Sequence, residues 1–185
     1  MGSPRKGGNS EILLKEAMQG AREKGAEIVY FDLPAMKIAG CRDCGVCEGT
    51  GCCHVEDDMQ KIYSAIRQSS RFILASPVFF AGVSAQAKLM IDRCQSFWCE
   101  KYLLKKPMPP EDRAGLFICV GGMKRPEGRD CSAATAVSFF RTISVLAHRE
   151  LCYLGVDKKG EILKHPDALR EVYEAGKALM DMPAR

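Results

Sequence analysis

The chain has 185 residues, and its 27 lysines and arginines against 23 aspartates and glutamates leave a formal net charge of +4. That length suits one domain, here expected over 1–185, with a core buried without disulfide staples. The small, dispersed charge gives no reason to expect a nucleic-acid partner. No apolar run approaches the length of a membrane span, and no charged-then-apolar leader is visible. The ten cysteines do not suggest a secreted disulfide framework, which belongs to far shorter chains, so the expected setting is reducing cytoplasm.

The first element is a polar, glycine-rich stretch, Gly2-Ser-Pro-Arg-Lys-Gly-Gly-Asn-Ser10, followed by a helical pattern of Ile12, Leu13, Ala17, Met18 and Ala21. Asn9 or Ser10 is the expected N-cap. A glycine loop feeding a helix N-terminus offers backbone N–H groups and a positive dipole end to an anion. Ser3, Arg5, Asn9 and Ser10 can add side-chain donors around a phosphate; an ordinary capped N-terminus is the plain alternative.

Ala26–Asp32 is rich in β-branched and aromatic residues and predicts a strand. The loop that follows carries Cys41, Cys44 and Cys47 at intervals of three, then Cys52 and Cys53, with Glu48-Gly-Thr-Gly51 between. Three thiolates spaced by two residues can wrap one face of an inorganic core, and Cys52 or Cys53 can close the cage. Iron–sulfur clusters use such all-cysteine runs, whereas structural zinc usually takes two C-x2-C knuckles well apart in sequence.

Asp57 and Asp58 are placed to cap a helix through about Ser69, with Met59, Ile62, Tyr63 and Ile66 on one face. Arg71–Ser76 reads as a buried parallel strand. It is expected to stop at Pro77, which cannot donate to a ladder. Ser84 caps a helix through about Arg93, and residues 97–112 read as an irregular connection. Ala114–Val120 is another apolar strand, leading through Gly121 and Gly122 into a polar loop. A helix over Ser132–Leu146, a strand over Leu151–Gly155 and a helix over Pro166–Met182 complete the chain.

Strands alternating with helices imply a parallel sheet with right-handed crossovers, and such sheets bind ligands at the carboxyl ends of their strands. Three loops leave those ends: Ser3–Ser10, Pro77–Gly82 and Gly121–Asp130. A phosphate on the first and a flat ring among Phe79, Phe80 and the glycine pair describe FMN.

These motifs, together with Asp57-Asp-Met59 and Ser84-Ala-Gln-Ala-Lys88, resemble the iron–sulfur flavoprotein branch of the NADPH-dependent FMN reductase and flavodoxin-like superfamily. The resemblance runs through most of the chain. It implies a flavodoxin-like, three-layer, doubly wound α/β fold, FMN, a [4Fe–4S] cluster and a homodimer or homotetramer. It also implies a redox partner such as ferredoxin or NAD(P)H. By position it puts the FMN phosphate on Ser3, Arg5, Asn9 and Ser10, and the isoalloxazine against Pro77, Val78, Phe79 and Phe80, with Gly121 and Gly122 nearby. It puts the cluster on Cys41, Cys44, Cys47 and Cys53. Cys53 keeps the better distance to Asp57, and Cys52 is its substitute.

The chain departs from the resemblance in three ways. The usual apolar first strand is missing ahead of Gly2, an expectation that the natural start lies further upstream. Phe79 stands where tyrosine is common, and Ala81 where glycine is common, its methyl disfavouring positive φ. His54 is read as a loop residue, and His148 and His165 belong to no constellation. Cys94, Cys119 and Cys152 are read as core, Trp98 and Tyr102 as packing or subunit-contact residues. Cys99 and Cys131 are candidates for reactive thiols, but nothing nearby suggests a lowered pKa. The reading is a flavin-dependent oxidoreductase in which no side chain acts as general acid or base. Its alternatives are an NAD(P)H-dependent FMN or quinone reductase without a cluster, and a redox-sensing or structural module built on a zinc or iron–sulfur cysteine cage.

Overall fold

A computed structural model describes residues 1–108 and 110–183. Pro109, inside the connection expected at 97–112, lies outside the described residues. The elements are α1 (Asn9–Glu23), α2 (Val46–Thr50), α3 (Met59–Gln68), β1 (Arg71–Phe79), β2 (Gly82–Val83), α4 (Ala85–Arg93), α5 (Gln95–Trp98), β3 (Ala114–Gly121), α6 (Pro126–Thr142), β4 (Ala147–Leu154) and α7 (Ala168–Asp181).

The sheet order is β2-β1-β3-β4. β1, β3 and β4 run parallel, and β2 turns back antiparallel on the end of β1. β3 is buried at every residue, which is why it reads as an unbroken apolar run: both its faces are covered by helices. One face packs Ile62 and Ile66 of α3, Met90 of α4 and Phe139 and Phe140 of α6 against Phe117. The other packs Leu13, Leu14 and Ala17 of α1 and Val172 and Leu179 of α7 against Leu116 and Ile118. This is the three-layer flavodoxin-like arrangement.

α1 and α7 touch backbone to backbone. A Cβ added at Gly176 would lie 2.0 Å from the Ala17 carbonyl oxygen, and one at Gly20 would lie 2.1 Å from that of Tyr173. Only glycine permits this approach.

Several sequence expectations are corrected. β1 continues past Pro77 to Phe79. The Ala75 carbonyl accepts from Gly2 N–H on the side away from β3, and Pro77, two residues on, faces the same way. Its missing N–H is therefore on the outer edge, where proline is tolerated. α6 begins at Pro126, not Ser132, with proline at its first position, where the absent donor is one that no helix would use. The 97–112 connection is helical through Leu103, and β4 starts earlier than expected, at Ala147. Cys119 and Cys152, opposite each other on β3 and β4, pack at the core as expected but are joined as a disulfide.

The largest correction concerns Ala26–Asp32, which is extended but belongs to no ladder. Met1 and Gly2 bridge it to β1. The Met1 amino group donates to Phe31 O at 2.8 Å, Leu33 N–H donates to Met1 O at 3.0 Å, and Gly2 N–H donates to Ala75 O at 2.7 Å. Below that bridge, between Ile28–Phe31 and the outer edge of β1, is a cavity of about 190 Å3 lined by apolar groups including Leu14, Ile66, Phe72 and Leu179. A segment with strand propensity needs a partner to make a ladder, and among the described residues this one bonds across only to Met1.

Candidate functional site

The glycine-rich loop ends as a helix N-terminus, though not on the expected cap. Gly8 is the N-cap of α1 and no side chain caps it. Gly7 takes φ +63° to make the turn in which Gly8 N–H donates to Arg5 O. The first N–H groups of any α-helix lack intrahelical acceptors, and here the chain supplies no side-chain substitute.

That loop meets the carboxyl ends of β1 and β3 around a cavity of about 490 Å3. Ser3, Arg5, Asn9 and Ser10 line it from the first loop, Pro77, Val78, Phe79 and Phe80 from the second, and Gly121 and Gly122 from the third. All ten residues singled out from the sequence are thus brought together.

The sequence reading missed the cavity's fourth wall, Leu154, Val156 and Asp157, at and just past the carboxyl end of β4. It is nevertheless tied to the first loop. Arg5 Nη1 donates to Asp157 O at 2.9 Å, Asn9 Nδ2 donates to Lys158 O at 2.9 Å, and Ile162 N–H donates to Asn9 Oδ1 at 3.3 Å. The Asn9 amide is thereby committed to holding two loops together.

The hairpin between β1 and β2 has two connecting residues, Phe80 and Ala81, at φ +47° and +58°. Two-residue hairpins with both φ positive normally carry Asn-Gly or Gly-Gly, so this turn is strained at the rim of the cavity. Phe80 is fully exposed there.

The cysteine loop forms a second centre. Gly45 and Gly51, at φ +74° and +77°, bracket the short helix α2. Cys41, Cys44, Cys47 and Cys53 line one small cavity of about 30 Å3 with His54, Arg93 and Cys99; Cys52 does not. Cys44 Sγ lies 3.8 Å from His54 Nδ1.

The stems of this loop are pinned by one buried ion pair. Arg93, at the end of α4, donates to Asp57 Oδ2 at 2.7 Å, to Ala39 O at 2.9 Å and to Val55 O at 3.3 Å. Asp57 also accepts from the N–H groups of Ala39 and Met59. Burial alone would raise the Asp57 carboxyl, but the hydrogen bonds from Arg93, Ala39 and Met59 outweigh it and hold the group below its ordinary value. Asp58, the N-cap of α3, makes no cap bond and instead accepts from Lys37 N–H.

Among the described residues, no three Cys, His, Asp or Glu groups stand close enough to hold a metal ion. The donor set is nonetheless that of a thiolate-held centre. Arg93, whose guanidinium is spent on Asp57, Ala39 and Val55, adds a buried positive charge to the lining of that cavity. Burial pushes the Cys47 thiol up to about 12, with the neighbouring Cys99 adding to the effect, so without a metal it stays protonated at neutral pH. Cys99, which the sequence does not place near the cysteine run, is fully buried, and its sulfur lies 3.5 Å from that of Cys47. Among the described residues, no helix is long and apolar enough to cross a membrane.

The layers and the carboxyl-edge cleft define a flavodoxin-like α/β protein, and a solved structure shares that fold. The NAD(P)H:quinone oxidoreductase from Methanothermobacter marburgensis superposes with a TM-score of 0.71 at 15% identity, covering 97% of this chain and 93% of that one. The family model for NADPH-dependent FMN reductase matches residues 1–148. An iron–sulfur flavoprotein of Methanocaldococcus jannaschii is 38% identical over 145 residues, 78% of this chain and 71% of its own length. One from Archaeoglobus fulgidus is 31% identical over 139 residues, 75% and 68% of the two lengths. The chain belongs to the iron–sulfur flavoprotein and NADPH-dependent FMN reductase family and is a flavin-dependent oxidoreductase.

Proposed function

We propose that the chain binds FMN and a [4Fe–4S] cluster and passes electrons between an external donor, the cluster and the flavin. The observation that carries this reading is the convergence of ten residues from three separate loops on one cavity of about 490 Å3. The uncapped N-terminus of α1, with Ser3, Arg5 and Ser10, receives the phosphate. Asn9 holds the loop in shape. Pro77, Val78, Phe79 and Phe80 face the isoalloxazine on one side, and Gly121 and Gly122 let it approach the backbone on the other. When bound, FMN supplies the electron and hydride chemistry, and the chain orients it and tunes its potential.

Cys41, Cys44, Cys47 and Cys53 would hold the cluster, with the Arg93 guanidinium beside them in the same lining. The donor is a ferredoxin-like protein or NAD(P)H, the assembly a homodimer or homotetramer, and the compartment the cytoplasm. The absence of three converged ligands among the described residues favours a second reading, an NAD(P)H-dependent FMN or quinone reductase whose cysteines hold zinc or nothing.

Anaerobic purification, with flavin, iron, sulfide and zinc measured per chain, separates the two. FMN with matching iron and sulfide supports the first reading, FMN without them the second, and protein that takes up no flavin overturns both. Within the flavin site, Arg5→Ala should weaken FMN more than riboflavin, by about 1.5–3 kcal/mol for a charge-assisted hydrogen bond. Equal weakening would show that Arg5 acts on the loop through Asp157 and not on the phosphate.

A further inference from the structure

The cysteine cage contains one sulfur more than a four-thiolate centre uses. Cys99 follows α5 and lies on the floor of the cavity, fully buried. Its sulfur is 3.5 Å from Cys47 Sγ, a sulfur–sulfur hydrogen-bond distance. On its other side Gln95, one helical turn earlier, donates from Nε2 to Cys99 Sγ at 3.8 Å. Gln95 thus occupies the acceptor side of the Cys99 sulfur and leaves its S–H free to point elsewhere.

We propose that Cys99 is not a ligand but the hydrogen-bond donor that sets the potential of the cluster, through its S–H···S contact with Cys47. The inference rests on the cluster reading given above. A metal-bound cysteine is a thiolate and has no proton to give. In the loaded protein the direction of the Cys47–Cys99 bond is therefore fixed: Cys99 donates and Cys47 accepts. A donor to a ligand sulfur stabilises the form with the extra electron, because that form carries more negative charge on its sulfurs. Hydrogen bonds to the sulfurs are among the determinants of iron–sulfur potentials, and outer-shell partners of this kind orient the ligands as well. Arg93, Gln95, Ser96 and Cys99 all come from the end of α4 and the helical turns after it, so the donor is carried on helical backbone, whereas Cys41 and Cys44 are exposed on the loop.

The test uses the full chain, reconstituted anaerobically with iron and sulfide, in four forms: wild type, Cys99→Ala, Cys99→Ser and Cys94→Ala. Cys94 is an equally buried thiol that donates to Met90 O and does not line the cavity, so its variant controls for loss of a core thiol. Iron and sulfide per chain are measured, and the cluster midpoint potential is followed by EPR during a redox titration. All four forms should load equally. Cys99→Ala should shift to lower potential, Cys99→Ser, which keeps a donor, should recover part of the shift, and Cys94→Ala should match wild type. A Cys99→Ala potential equal to that of wild type overturns the inference, as does an equal shift in Cys94→Ala. Loss of iron in Cys99→Ala also overturns it, by making Cys99 a ligand. Wild-type protein with neither iron nor sulfide removes the cluster reading and this inference together, whereas a loaded wild type with an unmoved variant removes only the inference.

Discussion

Arg93 and Asp57 form a buried ion pair that ties the cysteine loop to the body of the protein, at 2.7 Å with only 1% and 12% of the two side chains exposed. Residues 36 positions apart meet there, and the same guanidinium also reaches the carbonyls of Ala39 and Val55 on the two stems of the loop. A pair this buried is worth keeping intact more than it is worth having. Removing one partner leaves the other charged and unpaired, at about 3–5 kcal/mol. Arg93→Met should therefore lower the melting temperature sharply and reduce iron uptake on reconstitution, while flavin binding, in a cavity that Arg93 does not line, persists in the folded fraction. Calorimetry with paired iron and flavin assays checks this. Iron uptake unchanged in a folded Arg93→Met protein would show that the loop does not depend on its anchor.

The same pair predicts an acid limit for the loop. Asp57 is held below the ordinary carboxylate value of about 3.9, so its contribution is fully present above that pH and is lost as pH falls through the lower, folded value. The stability advantage of wild type over Asp57→Asn should be flat from neutral pH down to about pH 5 and should shrink only in more acidic solution. Melting curves of the two proteins across that range give the answer. An advantage already falling near pH 6 would assign the effect to another group.

The strained hairpin at the rim of the flavin cavity carries a prediction of opposite sign. Ala81 sits at φ +58°, a region that costs a side chain about 1–2 kcal/mol and glycine almost nothing. Part of that gain is returned as the greater chain entropy of glycine in the unfolded state. Ala81→Gly should stabilise by about 0.5–1 kcal/mol net, read as a rise in denaturation midpoint at unchanged slope. A fall would mean that the methyl packs usefully on its neighbours.

Much of this architecture was legible in the chain because buried parallel strands and glycine loops leave strong local marks. Arg71–Ser76 and Ala114–Val120 are continuous apolar runs, and each is the strand it reads as. Ser84 accepts the cap bond from Ala87 N–H that its position suggests. What could not be read were contacts between residues distant in sequence. Arg93 reads as the last polar residue of a helix until Asp57 is seen beside it, and nothing in the sequence puts Cys99 next to Cys47. Asn9 looks like a helix cap, yet its amide spans to Lys158. The Ala26–Asp32 segment carries every local mark of a strand and fails because a ladder needs two partners.

That failure makes the final prediction. The outer edge of β1 below Ala75 faces the Ile28–Phe31 segment across an apolar cavity of about 190 Å3. Met1 and Gly2 already bond to both sides at its upper end, Met1 to Phe31 and Leu33, and Gly2 to Ala75. Residues placed directly ahead of Met1 would therefore run parallel to β1 and down into the cavity, completing the ladder on both flanks. An apolar strand such as Lys-Val-Leu-Gly-Ile-Ser, fused there, would bury three or four side chains at about 1.5–3 kcal/mol each, offset by about 1–2 kcal/mol for each residue ordered. It would also cover unpaired edges that otherwise invite pairing with other chains. The extended protein should melt at a higher temperature, retain more FMN through gel filtration and aggregate less. A fusion carrying the same residues with lysine in place of valine and isoleucine should lose the gain. If the two fusions and the 185-residue chain melt together, the cavity is not a strand position, and Ala26–Asp32 is extended for some other reason.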